Sequence, residues 1–173
     1  MNQSQYYHDR ITMALDDLLR CRRYCEMMLK LPIGKAFTNE RTIYESLFVS
    51  FVVSYGRVFT TSNTVDRSFK ESVSNDFGQF RQTMIKKQDT VLEKFHKRII
   101  EKRDTSIAHS DGKSRNYQHY GDSPLPCGSN PFYPYEHTEI EQAIKLVNNL
   151  ISMVGDEQIR VGKVAFSKTI FSN

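Results

Sequence analysis

The chain has 173 residues, 39% of them hydrophobic and 25% charged, with eight glycines, five prolines and no tryptophan. That length suits one compact domain, and the composition excludes collagen-like, mucin-like and wholly disordered classes. A net charge of +4 permits an anionic partner without demanding one. The three cysteines, Cys21, Cys25 and Cys127, form no paired pattern, which argues against a secreted disulfide scaffold and for a reducing compartment. Cys21 and Cys25 stand four apart on one helix face. Two ligands without a second pair read as buried thiols rather than a zinc site. The first ten residues lack the basic-then-apolar order of a signal peptide, and the most apolar stretch, residues 47–53, is far short of the ~20 apolar residues of a membrane span. The expectation is a cytoplasmic protein with no membrane association.

In chain order, the first helical stripe is Ile11, Ala14, Leu15, Leu18, Cys21, Cys25, Met28 and Leu29, ended by Pro32 and Gly34. A second segment, residues 39–60, is apolar nearly all round and reads as a central buried helix, with Thr42 and Glu45 as its capping box. Residues 61–74, rich in Ser, Thr and Asn, read as a loop with at most one helical turn. The third long helix begins by Thr90, with a possible extension back to Asp76. It carries Leu92, Phe95, Ile99 and Ile107 inward and stops at Gly112. Residues 113–135 hold four prolines and two glycines and read as a long irregular loop. A fourth helix starts near Thr138 with Glu141 three later, on the stripe Ile140, Ala143, Ile144, Val147, Leu150, Ile151 and Val154. Beyond it Ile159, Val161, Val164 and Phe166 alternate loosely, as an extended tail would. The expected fold is therefore an all-α antiparallel four-helix bundle, one domain over residues 1–173, with a Pro/Tyr-rich loop and an extended C-terminal tail.

The chemistry concentrates at the end of the third helix. On a wheel of about 100° per residue, Leu92, Phe95, Ile99, Arg103, Ser106 and Ser110 share one stripe, apolar in its first half and polar in its second. Arg103 thus occupies a core-facing position, where a permanent charge needs an acid or an anion. His109 falls in the last turn before Gly112, where the helix dipole favours its protonated form and where it can titrate near neutral pH. Between residues 86 and 115, nine basic residues (Lys86, Lys87, Lys94, Lys97, Arg98, Lys102, Arg103, Lys113 and Arg115) stand against five acids (Asp89, Glu93, Glu101, Asp104 and Asp111). That excess suits a nucleic-acid backbone, though a solvated helix face has the same composition. Arg57, within the apolar second helix, reads as a second buried-type arginine that either lines the same cleft or pairs with an acid. Tyr117, Tyr120, Tyr133 and Tyr135, beside His119, Lys113 and Arg115, have the makeup of a base-stacking loop or of aromatics packed down on the bundle. No Walker-type loop, nucleophile elbow or metal-ligand cluster is present, so neither a cofactor nor a metal is expected.

Arg103-Asp104, four residues, then His109 resembles the signature of the HEPN superfamily: an arginine, a polar neighbour, and a histidine a few residues on. The run Ile107-Ala108-His109-Ser110-Asp111 is similar to HEPN proteins of bacterial abortive-infection and toxin–antitoxin systems. The resemblance is carried by residues 94–112 and is architectural elsewhere. It implies metal-independent endoribonuclease activity in a toxin or phage-defence role. His109 would be the acid/base, Arg103 the stabiliser of phosphorane charge and Asp104 the group that orients one of them. Arg57, Lys102, Ser106, Ser110 and Arg115 are the candidate RNA-binding residues. One motif histidine cannot easily serve as both acid and base, and on a straight helix Arg103 and His109 diverge by about 120°. The resemblance therefore implies a homodimer that joins two motifs, with RNA as substrate and a cognate antitoxin as a possible partner. Some relatives carry an adenylylated tyrosine two residues after the histidine; here that position is Asp111. The alternative within the family is a non-catalytic bundle that binds nucleotide, RNA or a protein partner.

Overall fold

A computed structural model describes residues 3–35, 37–60, 70–107 and 134–166. The architecture is all-α, and the expected four-helix bundle is corrected to five helices: α1 (Gln3–Met28), α2 (Asn39–Phe59), α3 (Lys70–Lys86), α4 (Thr90–Lys102) and α5 (His137–Phe166). A π-helical turn, Arg103–Ile107, extends α4. No helix is long and apolar enough to cross a membrane among the described residues.

The fifth helix arises where one helix was expected to extend back from Thr90 toward Asp76. Gln88 closes α3: its side-chain amide donates to the Met84 carbonyl at 3.0 Å and accepts from Asn149 of α5 at 3.0 Å. One residue on, Asp89 takes extended geometry and its carboxylate accepts from the Leu92 N–H at 2.9 Å, so it opens α4 as the N-cap. A stop at Lys86 and a start at Thr90, with three residues between, leave no periodic gap to read. Residues 70–74, expected in a loop, belong to α3.

The other caps also lie a few residues from their expected places. Thr38, not Thr42, is the N-cap of α2, accepting from the Arg41 N–H at 3.2 Å. Ahead of α5 the Glu136 N–H donates to Glu139 rather than Glu141 sealing that end. At the far end, the extended tail is corrected as far as Phe166. Residues 158–166 continue α5, with Val161 and Ala165 buried at helical spacing from Val154. Apparent alternation among Ile159, Val161, Val164 and Phe166 hid that period. Contacts to α1 hold the segment: Gln158 donates to Thr12 at 2.9 Å, Tyr7 donates to Glu157 at 3.0 Å, and the His8 and Phe166 rings meet edge-on at 5.2 Å.

The core lies where α1 packs against α5 and α2. Ile11, Leu18, Cys21, Cys25 and Met28 meet Phe48, Phe51, Val52, Leu146, Leu150 and Val154, all fully buried. Both described cysteines are free thiols in that core, and burial raises their pKa values. The α2 helix joins this core on one side and α4 with its π turn on the other, which positions the site below.

Candidate functional site at the end of α4

Helix α4 buries Leu92, Phe95 and Ile99 and presents His96 and Arg103, seven residues apart, along a neighbouring stripe. That stripe faces α2. His96 Nδ1 lies 2.8 Å from the Tyr55 hydroxyl, and its ring meets Phe59 edge-on at 4.5 Å. Tyr55 is fully buried, and burial pushes its hydroxyl well above the usual phenol range. The hydroxyl therefore keeps its proton and shares a hydrogen bond with Nδ1. Burial lowers the His96 pKa to about 4, so the imidazole is neutral at physiological pH. Sequence reasoning passed over His96 and Tyr55. The seven-residue spacing of His96 and Arg103 was the available signal.

Next to Tyr55, Gly56 makes room for Arg103. A Cβ on Gly56 would run into Arg103 Cδ and lie 2.6 Å from its Nε, closer than real Cβ contacts come. The arginine thus crosses α2 over bare backbone. Its side chain is 25% exposed, and Nη1 donates to Asp104 Oδ1 at 2.5 Å. The predicted acid partner of Arg103 is its sequence neighbour rather than a residue of another helix.

The π turn starts at this arginine. Its N–H is shared between the Ile99 and Ile100 carbonyls, and Thr105 donates to the Glu101 carbonyl at 2.8 Å. A π turn carries more residues per turn than an α turn and is frequent at functional sites. The straight wheel that separates Arg103 from His109 by about 120° therefore stops applying at residue 103. Ser106 belongs to the same turn. His109, Ser110 and Arg115 lie outside the described residues, as do Tyr117, Tyr120 and Tyr133.

Two candidate binding residues point elsewhere. Lys102 reaches over the rings of Phe48 and Tyr135, at 5.4 and 5.7 Å, and burial lowers its pKa. Phe48 and Gly56 are eight residues apart on α2, about 12 Å along its axis, so Lys102 and Arg103 diverge. Arg57 is 52% exposed rather than buried. It pairs with Asp17 of α1 at 3.4 Å and lines a pocket that Arg103 does not touch. Tyr135 packs down on the bundle, its ring 4.9 Å from Phe48 and 5.3 Å from Phe95.

The site that the described residues assemble is thus an arginine–carboxylate pair on a π turn, seated on a glycine notch beside a neutral Tyr55–His96 pair. Chemically it offers a fixed guanidinium, permanently charged, with donors left over for an anion. Among the described residues no three His, Cys, Asp or Glu side chains gather as a metal site would require. No family model, curated protein or solved structure matches this chain.

Proposed function

We propose that this protein is a HEPN-type endoribonuclease that cleaves RNA through attack by the 2′-OH, with Arg103, Asp104 and His109 as its reacting set. The observation that carries the reading is the seat of Arg103. A partly exposed guanidinium lies over Gly56 on a π turn, oriented by the polar neighbour that the motif specifies. In this reading a histidine accepts the 2′-OH proton, the 2′-oxygen attacks phosphorus, and the 5′-oxygen leaves with a proton from the second histidine of a homodimer. The products are a 2′,3′-cyclic phosphate and a 5′-hydroxyl. Arg103 holds the charge that builds on the phosphorane oxygens, and Asp104 fixes its fork. The protein acts in the cytoplasm, in a toxin or phage-defence role, with a cognate antitoxin as its restraint.

Purified protein incubated with cellular RNA tests this. Cleavage is expected to persist in EDTA and to be lost in both His109→Ala and Arg103→Ala. Arg103→Lys is expected to restore little, because an ammonium lacks the planar fork. Cut patterns shared by wild type and His109→Ala would assign the activity to a contaminant. RNA binding without cleavage would leave the non-catalytic alternative.

A further inference from the structure

The notch that receives Arg103 and the Tyr55–His96 pair belong to one contact between α2 and α4. Tyr55 and Gly56 are neighbours on α2, whereas His96 and Arg103 stand two turns apart, about 10 Å along the α4 axis. Side chains on a helix lean toward its N-terminus, so Arg103 reaches back along α4 to the glycine. The Tyr55 ring spans the remaining gap to His96, its hydroxyl 2.8 Å from Nδ1. Both rings are themselves held. Tyr55 is fully buried, with Phe51 at 5.9 Å and Phe59 at 5.0 Å, and Phe59 also meets the His96 ring. The contact is small, since α1 packs far more extensively on α5 and α2 than α4 does on α2. Apolar packing is non-directional and tolerates a slip along the helix axis; a short hydrogen bond between two ring-borne groups does not.

The notch requires such a constraint. The Arg103 stem lies where a Cβ on Gly56 would stand, so it rests directly on α2 backbone. A shift of α4 by one residue's rise, about 1.5 Å, would carry it off the glycine and against α2 positions that bear side chains. We propose that Tyr55 and His96 are positioning residues for Arg103: their hydrogen bond sets the register of α4 on α2, and that register holds the guanidinium on its notch. The catalytic consequence rests on the reaction proposed above, whereas the seating of Arg103 is a property of the fold. A hydrogen bond that serves stability alone behaves differently. Replacing both of its partners by apolar groups of similar shape costs little. An apolar pair fills the volume but restores no direction, so a positioning bond is not replaced that way.

NMR of the full chain with isotopically labelled arginine tests it, the Arg103 Nε–H signal being assigned from its absence in Arg103→Lys. Its solvent exchange is expected to be at least tenfold slower than that of Arg57 and Arg98, whose side chains are 52% and 54% exposed. Tyr55→Phe and His96→Leu are expected to erase most of that protection. His96→Asn keeps a hydrogen-bonding atom where Nδ1 stood and is expected to stay within threefold of wild type. The double variant Tyr55→Phe/His96→Leu is expected to recover a urea midpoint near that of wild type and still exchange fast. Tyr55→Phe removes one oxygen from a packed ring, so the test stands should His96→Leu fail to fold. In RNA cleavage, kcat is expected to fall at least tenfold in Tyr55→Phe with KM within twofold, and to stay within threefold of wild type in His96→Asn. Undiminished protection in Tyr55→Phe, or protection regained together with stability in the double variant, would overturn the proposal. Wild-type protein that cleaves no RNA would instead remove the proposed reaction, with the exchange rates still deciding how Arg103 is seated.

Discussion

A single Cβ on Gly56 would occupy the space that Arg103 now fills, and this makes Gly56→Ala an informative substitution. The atoms in its way, Cδ and Nε, belong to a flexible side chain that can swing outward. Alanine also raises helix propensity by about 1 kcal/mol over glycine in a helix interior. Stability is therefore expected to stay within about 1 kcal/mol of wild type by urea denaturation, while RNA cleavage falls as far as in Arg103→Ala. Equal stability with undiminished cleavage would remove the notch from the mechanism. His96 supplies a pH test. Its pKa falls from 6.5 in the unfolded chain to about 4 in the fold, so between those values the unfolded state holds more protons. The stability it contributes is present above pH 6.5 and is lost as pH falls toward 4, about 3 kcal/mol over the window. The urea midpoint of wild type should drop more steeply across that window than that of His96→Gln. Arg103 and Asp104 were legible in the sequence because spacing and neighbour identity are local properties. Gly56, Tyr55 and His96 were not, because their roles depend on which face of α2 meets α4.

At the scale of elements, the start of α5 is held against α2 by one tyrosine and packed by another, and the two differ in how their hydroxyls are satisfied. Tyr44, fully buried, donates to the Tyr135 carbonyl at 3.0 Å. The buried Tyr135 hydroxyl has no hydrogen-bond partner among the described residues. Tyr44→Phe is expected to cost about 1–3 kcal/mol by stranding a buried carbonyl, and Tyr135→Phe to be neutral or stabilising. Thermal or urea melts of the two variants check this; the reverse order would refute the packing described for the end of α4. The helices themselves were legible wherever a long apolar stripe ran unbroken, as in α1 and α2. Boundaries were not. The α3–α4 break depends on Gln88 reaching Asn149 of α5, a contact between residues 61 positions apart. The last turns of α5 depend on Tyr7, His8 and Thr12 at the other end of the chain.

For the whole molecule, the all-α class followed from composition and period, whereas the number of helices did not, since one capped break changes the count without changing the pattern. In the proposed scheme, function at this scale rests on association. With one motif histidine per chain, cleavage by paired motifs requires a dimer, so light scattering at micromolar concentration should give about twice the 20.2 kDa chain mass. A monomer that still cleaves would end the two-histidine scheme. The most direct measurement is chemical: an RNA whose cut site has been mapped is resynthesised with a single 2′-deoxy sugar on the 5′ side of that bond. If the 2′-oxygen is the nucleophile, wild-type protein leaves that one bond intact, cuts the all-ribose strand to a 2′,3′-cyclic phosphate, and Arg103→Ala cuts neither. Cleavage of the deoxy-substituted bond at the all-ribose rate would contradict the assignment.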